Sequence, residues 1–87
     1  MAQRIKQAAI RQLLIDRGHY ASEFEGGDWD PGFRTAQAGT RAVHVFHDGP
    51  GEADHLDTYA ADLREAGYHV HATQHASGRR RLEVTRP

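Results

Sequence analysis

The sequence predicts an α+β two-layer sandwich, a mainly antiparallel sheet of four to five strands with two helices on one face. Three observations lead there. Leu56, Tyr59, Ala60 and Leu63 recur at helical spacing and stop at Gly67. The residues after Gly67 alternate with period two: Tyr68, Val70 and Ala72 point one way, His69, His71 and Thr73 the other. Ala76-Ser77-Gly78 then turns the chain into a second alternating run, Arg81 to Thr85, with Leu82 and Val84 on one side. A helix followed by a hairpin buries its apolar stripe by lying on the hairpin, so Val70, Ala72, Leu82 and Val84 are expected under the helix. His69, His71, Arg81 and Glu83 are expected on the opposite face.

The organising helix begins after Pro50-Gly51, and its acidic first turn (Glu52, Asp54) suits the positive end of the helix dipole. Upstream, Ile5, Ala9, Ile10, Leu13 and Leu14 form a second stripe, predicting a helix from about Ala2 to Arg17 ended by Gly18. Arg4, Gln7 and Arg11 share its polar side. His19 to Phe24 reads as a strand, and Glu25 to Gly32 as a loop in which Pro31 forbids a central strand. Phe33 to Gln37 reads as a short strand. Ala38-Gly39 turns it into the clearest strand of the first half, Arg41 to His47, with Val43 and Val45 on one face and His44 and Phe46 on the other. The order is α-β-(β)-β-α-β-β.

The two halves, about 1–47 and 52–87, echo each other within one 87-residue domain. Leu14 to Tyr20 resembles Leu63 to His69, and Arg41-Ala42-Val43-His44-Val45 resembles Arg80-Arg81-Leu82-Glu83-Val84. Each half is a helix and a hairpin, the first carrying a longer insert. The helix-strand order is similar to that of double-stranded-RNA-binding domains, but their basic second-helix start is replaced here by acids. A doubled helix-hairpin also resembles the core of LAGLIDADG endonucleases, whose signature motif is absent. Both are likenesses of topology, which carry no function, and no family is recognised.

Composition narrows the function. With no cysteine, disulfides, thiolate zinc sites and cysteine nucleophiles are excluded. No apolar run is long enough for a membrane helix, and the first residues lack a signal-peptide core, so a cytoplasmic protein without a membrane partner is expected. Ten arginines against one lysine, with no asparagine, suggest a GC-rich bacterial or phage genome.

The net charge of −1 conceals segregation. Residues 1–17 set Arg4, Lys6, Arg11 and Arg17 against Asp16, and residues 79–87 set Arg79, Arg80, Arg81 and Arg86 against Glu83. The centre is acidic. Basic ends suit a polyanion, and Arg79, Arg80, Arg81, Arg4 and Arg11 are the candidate nucleic-acid contacts. Ordinary surface pairing, or protection of an edge strand by charge, accounts for the same residues.

Seven histidines are the other oddity. His69 and His71, with His44 on the same face, make a conceivable three-histidine metal site. No carboxylate is fixed nearby by spacing, and exposed histidines outnumber ligating ones, so no metal or cofactor is expected. The same residues with Phe46 (His44, Phe46, His69, His71) form a candidate interaction face for a protein partner or a homodimer. His19, His47, His55 and His75 look scattered. Asp28-Trp29-Asp30-Pro31-Gly32 lacks the ligand spacing of a calcium loop, and Trp29 is expected to plug the core.

Ser22 and Ser77 are the only serines, and no nucleophile, phosphate-loop or metalloprotease motif occurs. The expectation is a small non-enzymatic binding or regulatory domain leaning to nucleic acid, the alternative being a protein-interaction module or homodimer.

Overall fold

A computed structural model describes residues 3–25, 28–74 and 76–87, with side chains described except at 23–25, 28 and 29. Helix α1 spans Gln7–Asp16 and helix α2 spans Glu52–Glu65. Six strands are present among these residues: β1 (Glu23–Glu25), β2 (Asp28–Asp30), β3 (Gly32–Gln37), β4 (Val43–Asp48), β5 (His69–Gln74) and β6 (Arg80–Thr85). The last four form an antiparallel sheet in the order β3-β4-β6-β5, and β1 pairs with β2 in a separate hairpin. Both helices cover one face, as the α+β two-layer reading requires. Ile10 and Leu14 of α1 and Leu56, Tyr59, Ala60 and Leu63 of α2 share one core with Phe33, Val43, Val45, Val70, Leu82 and Val84.

The helices end alike. In α1 the amides of Arg17, Gly18 and His19 return to the carbonyls of Leu13, Ile15 and Leu14; in α2 those of Ala66, Gly67 and Tyr68 return to Asp62, Arg64 and Leu63. Gly18 and Gly67 take φ of 88° and 99°, the left-handed turn that glycine accepts without strain. The halves then meet along β4 and β6, where Val43 pairs with Val84, His44 with Glu83 and Val45 with Leu82. In the sequence likeness Val43 corresponds to Leu82 and Val45 to Val84. Val43 therefore pairs with the counterpart of Val45, and Val45 with the counterpart of Val43, which is the register of a local two-fold passing between His44 and Glu83.

Several sequence expectations need correction. Helix α1 starts at Gln7, later than the stripe suggested, because Gln37 of β3 intervenes. Its Oε1 accepts from the Gln7 amide and its Nε2 donates to the Ile5 carbonyl. Ile5 is buried in extended chain, its amide bonded to Thr40 O, and Ala9 is exposed. The strand expected over His19 to Phe24 is reduced to a bridge, Ala21 to Phe33, followed by β1. Part of the expected loop forms β2, because Asp28 to Asp30 finds a partner in β1; Pro31, with no amide to donate, separates it from β3. Ala72 faces the helix layer but is exposed, lying with Ala53 and Leu56 in a cleft beside the edge strand. The expected role of Trp29 falls on a side chain outside those described, and His75 also lies outside them.

Candidate functional site

The open face of the sheet carries the residues that alternation directed away from the helices. Ala36 pairs with His44, His44 with Glu83 and Glu83 with His71, a single row across four strands. His69 lies one step along, opposite Thr85. His69 and His71 are exposed, and His44 and Phe46 are half-buried. Glu83 thus stands between two imidazoles, a carboxylate that spacing alone did not locate. His44 and His71 are two strands apart, roughly 10 Å at ordinary strand spacing, too far to share one ion. Among the described residues no group of three His, Asp or Glu is placed to hold a metal.

Beside that row, Phe46 pairs with Arg34 of β3, whose guanidinium lies 4.6 Å from the ring centroid. The Arg79 guanidinium approaches the same ring at 5.3 Å. Asp48, at the end of β4, ties the group together. It accepts from Ser22 Oγ at 2.8 Å, from Arg34 Nε at 3.2 Å and from Arg79. Arg79 also donates to the His47 carbonyl. Burial pushes the Asp48 carboxyl up, but the bonds from Arg79 and Ser22 and the charges of Arg34 and Arg79 outweigh it, holding the acid below its ordinary range.

The five candidate arginines do not form one patch. Arg79 joins Phe46, and Arg81, on the same side of β6 as Glu83, reaches Thr73 Oγ1 at 3.3 Å. Arg80 has the parity of buried Leu82 and is exposed beside Asp57, at the helix-side margin. Arg11 sits on α1 by a cleft with Tyr20 and Asp30, and Arg4 is exposed ahead of that helix.

A second constellation lies on the other side of the sheet. His47 is 3% exposed, the buried polar residue of the core among those described. Its Nδ1 lies 2.7 Å from Tyr59 Oη, and its ring stacks on His55 at 4.0 Å and 5°. His19 packs edge-on to Tyr59, and its Nε2 lies 2.6 Å from Asp62 Oδ2. Arg17 bridges Asp62 and Glu65. Burial lowers the His47 pKa below 6.5, with His55 adding to the effect and the Pro50 carbonyl, Asp48 and Glu52 opposing it. Burial raises Tyr59 to about 12, so its hydroxyl keeps its proton.

By sequence spacing alone His19, His47 and His55 look scattered. His47 was legible, because it shares the parity of Val43 and Val45. His55 stands one helical turn before Tyr59 on α2, whereas the approach of His19 is not legible in the sequence, because it comes from the segment after α1. The Ser22 hydroxyl donates to Asp48 and not to the His19–Asp62 pair.

Comparison with known proteins yields no match: no protein family, no curated protein and no solved structure is significantly similar to this chain.

Proposed function

We propose that this chain is a small, non-enzymatic binding domain that takes single-stranded nucleic acid on the open face of its sheet. The observation that supports this reading is the gathering of Arg34, Phe46, Arg79 and Arg81 with His44, His69 and His71 on one uncovered β surface. Aromatic and imidazole rings give bases a stacking platform, and guanidiniums take phosphate. Asp48 is one carboxylate shared by two arginines, so the cluster keeps surplus positive charge while its side chains are held in place. Such a charged face suits a polyanion better than an apolar sheet-on-sheet dimer.

Fluorescence anisotropy with a labelled oligodeoxythymidine and a labelled oligouridine tests the reading. Binding should appear at low salt, weaken steeply as salt rises, and fall in Phe46→Ala. No binding at low salt removes the proposal. Sedimentation that finds a dimer abolished by Phe46→Ala would assign the face to self-association instead.

A further inference from the structure

The two outer strands of the four-stranded sheet, β3 and β5, differ in what lies beside them. The free side of β3 is covered. Phe33 accepts from the Ser22 amide and donates to the Tyr20 carbonyl, and Gln7 Nε2 donates to the Thr35 carbonyl. β3 also carries Arg34, a charge of the kind that discourages pairing with another chain. β5 has no Asp, Glu, Lys, Arg or Pro. Among the described residues, its backbone takes one hydrogen bond from outside the sheet, from Arg64 Nη2 to the Val70 carbonyl at 2.9 Å.

The ladder shows which groups β5 leaves open. The Phe33 amide and carbonyl point away from β4. In an antiparallel ladder the residues opposite Phe33, Thr35 and Gln37 (His47, Val45 and Val43) then turn theirs towards β6. Val43 and Val45 meet Val84 and Leu82 there, so Val70 and Ala72, on the far side of Val84 and Leu82, direct their backbone groups out of the sheet. The bond from Arg64 to the Val70 carbonyl agrees with this direction. Exposed Ala72 shares a cleft with Ala53 and Leu56 of α2, so apolar surface adjoins the open edge.

We propose that β5 pairs antiparallel with β5 of a second copy about a two-fold axis, His71 opposite His71, joining two sheets into one of eight strands. This is strand addition at an open edge. The register sets Val70 of each copy against Ala72 of the other, apolar on apolar, and brings their open backbone groups together. Charge favours the same occupant. Arg64 borders the strand beside His69, Val70 and His71, and Asp57 borders it beside Ala72, Thr73 and Gln74. The two-fold exchanges those ends, so Arg64 of each copy comes opposite Asp57 of the other. The joint repeats the antiparallel, two-fold pairing by which β4 and β6 already join the halves of one chain. The outer edges of the joined sheet are then the two covered β3 strands, which closes the assembly at two copies. The open sheet face stays uncovered, so the dimer does not rest on what that face binds.

The test is sedimentation equilibrium of the full chain from micromolar to millimolar concentration, with circular dichroism to check that each variant folds. A reversible monomer–dimer equilibrium is expected. Ala72→Lys places a charge at an already exposed position on the seam and should weaken the dimer at least about tenfold. Arg64→Asp should weaken it as well, and adding Asp57→Arg should restore it. Phe46→Ala should leave it unchanged, which separates this edge from self-association through the open face. The chain has no cysteine, so single cysteines report the register. Under oxidation His71→Cys should give a disulfide-linked dimer, because the two Cβ atoms face each other across the seam, whereas His69→Cys, opposite Thr73 of the second copy, should not. The proposal is overturned if the chain stays monomeric at millimolar concentration, if Ala72→Lys changes nothing, if Phe46→Ala abolishes the dimer, or if His69→Cys cross-links as readily as His71→Cys.

Discussion

Tyr59 Oη and His47 Nδ1 lie 2.7 Å apart inside the core, joining the middle of helix α2 to the end of strand β4. Tyr59 keeps its hydroxyl proton, and burial holds His47 towards its neutral form. Removing the hydroxyl in Tyr59→Phe leaves the imidazole nitrogen buried and unsatisfied. The cost should be about 1–3 kcal/mol, read as a lower urea midpoint with the slope unchanged.

The same pair sets a pH dependence. The His47 pKa is lower in the folded chain than its ordinary 6.5. Between those two values the unfolded chain binds the extra proton, so stability is complete above about 6.5 and declines as pH falls towards the folded value. Urea midpoints should drop between pH 7.5 and pH 5.5. In His47→Gln that part of the slope should disappear, and an unchanged slope would assign the titration to another histidine.

Asp48 should govern a second, more acidic transition. Its carboxyl is held below its ordinary 3.8, so its contribution is present above that value and is lost as pH falls through the folded value. Asp48→Asn keeps the shape but not the charge that Arg34 and Arg79 share. It should cost about 1–2 kcal/mol at pH 7 and flatten the acid limb of the stability curve.

Gly32 is required for space and not for its dihedral angles. A Cβ there would stand 2.2 Å from the Tyr20 carbonyl oxygen and 2.8 Å from the Ser22 nitrogen. These are backbone atoms in the bridge where Phe33 accepts from the Ser22 amide and donates to the Tyr20 carbonyl. Gly32→Ala should therefore cost about 1–3 kcal/mol, with the largest amide shifts at residues 20–22 on NMR.

The arginines offer a discriminating comparison. Arg81→Ala should reduce oligonucleotide binding and its salt slope, because Arg81 shares the side of β6 that carries Glu83. Arg80→Ala and Arg11→Ala remove the same charge from the helix side and should do much less. Equal effects from all three would indicate diffuse attraction and not a defined face.

Local sequence determined a good deal. The Leu56-Tyr59-Ala60-Leu63 stripe is buried as its spacing demands. Both glycine stops form, and the outward direction of His69 and His71 follows from strand alternation. These features depend on periodicity and on glycine's backbone freedom, which act over a few residues. Pairing across the sheet was out of reach, because alternation sets the face of each residue but not its neighbour on the next strand. Tertiary structure alone set Glu83 between His44 and His71, gave Asp48 its two arginines, and used Gln37 to start α1. It also drew His19 and His47 to Tyr59, beside which His55 already stands one turn away on α2, and they come together only when both helices settle on the same face of the sheet.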